Sequence, residues 1–92
     1  MDIENAYTVG FKAISYIVSE DDLLLSFIAL SGLSENEIKE QLQDPHFLSA
    51  SLSFLLNNEK YLISFCDDSD INPKDPMQAA QLLGGDNIWN SP

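Results

Sequence analysis

Apolar residues recur along the chain at helical intervals, and the recurrence divides it into six segments. Ile3, Tyr7, Phe11, Ile14 and Val18 line one stripe of a first helix. Leu24, Phe27 and Ile28 mark a second, and Ile38 and Leu42 a short third. Leu48, Leu52, Leu55 and Leu56 serve a fourth, Leu62, Phe65 and Cys66 a fifth, and Met77, Ala80 and Leu83 a sixth. No segment alternates with the period of two that a half-buried strand needs, and none is a strand-like run of β-branched residues. The pattern predicts an all-α fold, a compact orthogonal bundle of about six short helices. From Leu23 to Leu30 the second segment is apolar nearly all round, which predicts a central helix covered on every side.

Polar residues punctuate these segments. Ser19 precedes the acidic run Glu20-Asp21-Asp22, which reads as a capping serine before a first turn favoured by the helix dipole. Ser34 and Glu37 have the spacing of a capping box. Asp44-Pro45 and Asp75-Pro76 both read as an N-cap followed by proline at the first helical position, and Asp75 to Gln78 repeats the box spacing. Gly32 and Gly84-Gly85 are the expected C-terminal stops. These signals predict one helical domain over residues 1–85 and a C-terminal tail over residues 86–92.

The chain also resembles itself. Residues 13–33 align without gaps on residues 51–71, and Phe27 falls on Phe65. All ten apolar residues of the second copy fall on apolar residues of the first. One helical hairpin cannot bury its own apolar face, so the repeat predicts two pseudo-repeated hairpins stacked on each other. Phe27 and Phe65 are then expected in equivalent buried positions.

The repeat bears on the run Asp68 to Asp75, where Asp68, Asp70 and Asn72 have the first spacings of a calcium loop. Such a loop needs glycine at its sixth position and a bidentate glutamate at its twelfth. Pro73 and Ala79 stand there instead. The equivalent segment of the first copy, Leu30 to Ser34, lacks the acids altogether. The expected role of both segments is to end one helix and cap the next, with no metal.

Charge excludes further classes. Fifteen acids face four lysines and no arginine, a formal net charge of −11. Phosphate contact needs clustered cations, so neither nucleic acid nor an anionic membrane surface is an expected partner. No apolar run approaches the length of a membrane span. The opening MDIENAY has no basic region and no long apolar run, so no signal peptide is expected. The lone Cys66 excludes an internal disulfide. His46, the only histidine, falls at the second position of its helix, where exposure is the default. Cys66 lies on an apolar stripe, where a thiol behaves as a small inert hydrophobe. No phosphate loop, serine-hydrolase elbow or zinc-protease motif is present. No catalytic residue, cofactor or metal ligand is therefore expected.

The runs "FIALSGLSENEI" (27–38), "FLSASLSFLLNNEKYLISFC" (47–66) and "INPKDPMQAAQLLGG" (71–85) resemble a family of short, acidic helical proteins from alphaproteobacteria, a domain of unknown function. The resemblance spans roughly residues 11–85. It implies a small, all-helical, cytoplasmic bacterial protein, and it brings no activity, ligand or site residue with it.

These readings favour a non-enzymatic protein–protein interaction or adaptor module, bound to another protein or to a second copy. Two alternatives stand beside it: an acidic mimic that occupies a basic, nucleic-acid-binding partner, and a small-ligand binder within the bundle. The candidate contact residues are Ile88 and Trp89. They lie beyond the glycine stop, and a large aromatic there is a usual interface anchor.

Overall fold

A computed structural model describes residues 1–84, and within them the chain forms six α-helices. They are α1 (Ile3–Ser19), α2 (Asp21–Ser31), α3 (Glu35–Glu40), α4 (Pro45–Leu56), α5 (Glu59–Ser69) and α6 (Asp75–Leu83). The architecture is an all-α bundle, and no strand occurs among the described residues.

Helices α1, α4 and α6 form the centre, each packed extensively on the other two. Small residues make this possible. The inward face of α1 carries Ala6, Val9, Gly10, Ala13, Ile14 and Ile17. A methyl group on Gly10 would stand 3.0 Å from Leu48 Cβ and 3.2 Å from Leu83 Cδ1, so any larger residue would crowd α4 and α6 at this approach. Helix α6 answers with Pro76, Ala79, Ala80 and Leu83. The stripe expected on α1 is therefore corrected. Ile14 is buried and Tyr7 half-buried, but Ile3, Phe11 and Val18 are exposed. Met77 is likewise exposed on α6, while Pro76 and Ala79 take the buried face.

The position of α2 is a second correction. Only Leu23 and Phe27 are buried, Leu25 is exposed, and Leu30 is 77% exposed. This helix lies at the periphery against α1. An all-round apolar helix needs neighbours on every side, and the close α1, α4, α6 contact leaves no central position for it. The stripes expected on α3, α4 and α5 match the structure: Ile38, Leu48, Leu52, Leu55, Phe65 and Cys66 are buried, with Leu42, Leu56 and Leu62 packed against them.

Capping follows the sequence at three ends. Ser34 Oγ accepts from the Glu37 N–H at 3.2 Å, and Glu37 Oε1 accepts from the Ser34 N–H at 3.1 Å, closing the capping box. Asp44 Oδ1 accepts from the His46 N–H at 2.9 Å, with Pro45 opening α4. Gly32 ends α2 in the left-handed region at φ 74°. Two other expectations fail. Ser19 belongs to the last turn of α1 and donates to the Tyr16 carbonyl at 2.8 Å, so Glu20 takes the N-cap position of α2 without a side-chain bond. Asp75 is the first residue of α6 with Pro76 second, and the preceding Lys74 is itself helical, so neither Asp75 nor Gln78 forms a capping box. Asp75 is already inside the helix, where its side chain cannot serve as the cap.

The repeat is visible in the backbone. An offset of 38 carries the start of α2 at Asp21 onto the start of α5 at Glu59, and its end at Ser31 onto Ser69. It also carries Gly32 onto Asp70, and Asp70 is the only non-glycine residue with positive φ among the described residues, at 53°. The left-handed turn that closes each hairpin is thus the same turn, made once by glycine and once by aspartate, a residue that tolerates it.

The aromatic core shows how the copies meet. Phe27 packs edge-on against Phe54 with ring centroids 5.2 Å apart, and Phe65 packs against Tyr16 at 5.6 Å. Tyr16 and Phe54 are themselves repeat partners. Each second-helix phenylalanine therefore rests on the first-helix aromatic of the other copy.

Candidate protein-docking groove

Two of the large apolar residues that the bundle leaves exposed, Phe11 and Val18, stand together. They flank the buried Ile14 along α1, three and four residues from it. That spacing places them in one row. Leu24 at the start of α2 and Ile38 and Leu42 from the third segment complete a groove of about 400 Å³. Its wall is mostly apolar. Phe11 is 41% exposed and Val18 45%, whereas Ile14 and Ile38 form a buried floor.

The groove exists because α3 is short and stands off the bundle. Its six residues bury one side chain, Ile38, and the capping box fixes its first turn without help from a neighbouring helix. Glu35 and Lys39, one turn apart on α3, line the polar side. The flanking sequence is acidic: Glu20, Asp21 and Asp22 at the α1–α2 corner, and Glu37 and Glu40 on α3.

Further clefts accompany it, two of them mostly apolar. One, of about 550 Å³, lies between α2 and α4 and includes Leu30, His46, Ser49, Ser53, Asn57 and Gly84. Part of its polar lining is committed to the backbone: Ser49 Oγ donates to the Ala80 carbonyl at 2.7 Å, and Asn58 Nδ2 donates to the Phe54 carbonyl at 2.8 Å. The other, of about 600 Å³, lies between α5 and α6 and includes Leu56, Leu62 and Met77.

His46 is exposed in the second position of α4, as its place in the sequence implies. Cys66 is buried against the core. Burial pushes its thiol above the ordinary value of 9.0, and the negative charges of Asp67 and Asp75 push it further. Such a thiol is protonated and shielded at neutral pH, the opposite of a nucleophile. In the run that resembles a calcium loop, Asp70 closes α5 and Asn72 Oδ1 accepts from the Lys74 N–H at 3.0 Å. Among the described residues, no three His, Cys, Asp or Glu side chains come together where they could hold a metal ion. No helix among them is long and apolar enough to cross a membrane.

Ile88 and Trp89, the contact residues expected from the sequence, lie outside the described residues, as does the boundary between domain and tail. The groove residues were visible in the sequence only as core. Phe11, Ile14 and Val18 all belong to the stripe assigned to the interior of α1.

The family model for "Protein of unknown function (DUF3572)" matches residues 3–86, nearly the whole chain. The chain belongs to this family. The match takes in all six helices and the whole groove, so the groove is built entirely from DUF3572 residues. No curated protein and no solved structure matches the chain.

Proposed function

We propose that this DUF3572 protein is a non-enzymatic interaction module whose α1–α2–α3 groove docks a basic amphipathic helix from another protein. The observation that carries the reading is the exposed row of Phe11 and Val18 over a buried apolar floor. Isolated apolar residues on a surface need no explanation, but a contiguous groove of them marks a binding surface. A short helix laid into such a groove would set its own apolar row against Phe11, Ile14 and Val18.

Charge selects the occupant. The chain carries −11, so a second copy is repelled and a basic segment is attracted. The acidic corner at Glu20 to Asp22 and Glu35 on the groove wall would face the lysines and arginines on the rim of that segment. The acidic-mimic reading shares the basic partner but places the contact on charge alone.

A titration followed by amide NMR separates the two. The probe is a synthetic ~14-residue peptide of leucine and lysine at helical spacing. Docking requires saturable shifts at Phe11, Val18 and Leu42, weakened at least tenfold in Phe11→Asp. Shifts spread over the acidic surfaces, unchanged in Phe11→Asp, would discard the groove and leave charge mimicry.

A further inference from the structure

The described residues end at Gly84, and Gly84 itself lines the cleft between α2 and α4. Its place there is fixed by contact. Ser49 Oγ donates to the Ala80 carbonyl at 2.7 Å, which ties the last turn of α6 to α4. A methyl group on Gly84 would stand 2.7 Å from that same Oγ, so the close approach requires glycine. The chain beyond Gly84 therefore leaves α6 at the edge of the cleft. Phe27 and Phe54, packed edge-on at 5.2 Å, give the cleft its aromatic interior, and Leu30 stands beside them 77% exposed. In a chain with fifteen acids, no Asp, Glu or Lys is among the described residues that line it. The cleft thus selects its occupant by apolar surface and hydrogen bonding, not by charge.

We propose that the segment 85–92 of the same chain occupies this cleft, with Trp89 seated against Phe27, Leu30 and Phe54. The inference does not depend on the α1–α2–α3 groove. Trp89 follows Gly84 by five residues, a reach of about 17 Å at roughly 3.3–3.6 Å per extended residue. Gly85 comes directly after the exit point and adopts whatever backbone turn the return needs. The indole suits the lining: it buries a large apolar ring and has one N–H to satisfy. Ser53 and Asn57 supply side-chain oxygens that can accept it. A tether this short keeps the ring at high effective concentration beside its own cleft, which favours it over the tail of a second copy. Seating the ring there also covers Leu30, the most exposed of the apolar residues on α2.

Trp89 is the single tryptophan, so fluorescence of the full chain reports on it alone. The wild type is expected to emit as a buried indole at every concentration, with nuclear Overhauser contacts from the ring to the methyl groups of Leu30 and Ala50. Leu30→Asp should move the emission to that of a solvated indole. Leu25→Asp, also on α2, 67% exposed and outside the cleft, should leave it unchanged. Both positions are exposed, so both variants should keep the helical fold, which circular dichroism checks. Solvated emission from the wild type would overturn the proposal. So would buried emission without contacts to Leu30 and Ala50, which would seat the ring elsewhere. Burial that appears only as concentration rises would overturn it too, and would assign the cleft to the tail of a second copy. None of these results touches the α1–α2–α3 reading, since neither Phe11 nor Val18 lines this cleft.

Discussion

The two copies begin alike and end differently. Their first and second helices keep the same burial at most equivalent positions. Ala13 and Ser51 are buried, as are Ile17 and Leu55, while Leu25 and Ile63 are exposed. The third helices diverge. Helix α3 has six residues and one buried side chain; α6 has nine residues and buries Pro76, Ala79, Ala80 and Leu83 between α1 and α4. The difference follows from the start of α1. Residues 3–12 precede the repeat, and Gly10 and Ala6 on that extension give α6 a surface to close on. On α4 the residues ahead of the second copy are only 45–50, and Leu48 stands where α1 has Gly10. One repeated unit thus supplies both a core helix and an open groove, according to what lies next to it.

The aromatic exchange gives the strongest way to break this comparison. Phe27→Ala and Phe65→Ala should each cost about 3–5 kcal/mol, because each leaves a phenylalanine-sized cavity against the other copy. That is a large share of the total for a domain of this size. Chemical denaturation checks it, and a cost confined to one of the two would mean that the copies are not energetically equivalent.

Helix α6 offers the next test. Gly10→Val places a branched side chain where Leu48 and Leu83 already stand within 3.2 Å. We expect a loss of about 1–3 kcal/mol from overpacking. A neutral result would show that α6 can retreat from α1, and the contrast between the third helices would lose its cause.

Capping sharpens the contrast further. Ser34→Ala removes the bond that Ser34 Oγ accepts from the Glu37 N–H, leaves the one from the Ser34 N–H to Glu37, and should cost about 1 kcal/mol. Asp75→Ala, at the start of α6, removes no cap and should stay within about 0.5 kcal/mol. Equal costs at the two positions would contradict the assignment of Asp75 to the helix interior.

The smallest effect concerns Cys66 and its repeat partner Ile28. The thiol is held protonated in the folded chain, so the unfolded chain releases its proton at lower pH than the folded one. The stability this contributes is complete below the unfolded pKa and is lost as pH rises through the raised folded value. Urea unfolding from pH 8 upward should fall more steeply in the wild type than in Cys66→Ile, which carries the first copy's residue. Identical slopes would mean that the thiol titrates alike folded and unfolded.

Much of this architecture is legible in the sequence, and its gaps have physical causes. The repeat, the box at Ser34 and Glu37, and the stripes of α4 and α5 can be read because large apolar residues there do face the core. On α1 the rule misleads. Ala6, Gly10 and Ala13 have little hydrophobicity to signal burial, yet close helix packing selects them for their size. The larger Phe11 and Val18 then fall outside and form the groove. On α2 the pattern shows apolar residues on every side but not whether the bundle has neighbours to cover them. At Asp75 the spacing of a capping box is present, but Lys74 holds the N-cap position and Asp75 is already the first helical residue. The groove was thus written in the sequence as core, and only the choice of face by Gly10 reveals it as surface.

Amide hydrogen exchange of the free protein tests the central claim most directly: that α1, α4 and α6 are the core and that the apolar residues of α2 lie at the surface. The account predicts the slowest exchange along Ala6–Ile17, Leu48–Leu55 and Ala79–Leu83, with α2 less protected and α3 the first to open. Protection in α2 equal to or greater than that of α1 and α4 would restore the central α2 that its all-round apolar sequence suggests, and would contradict the account.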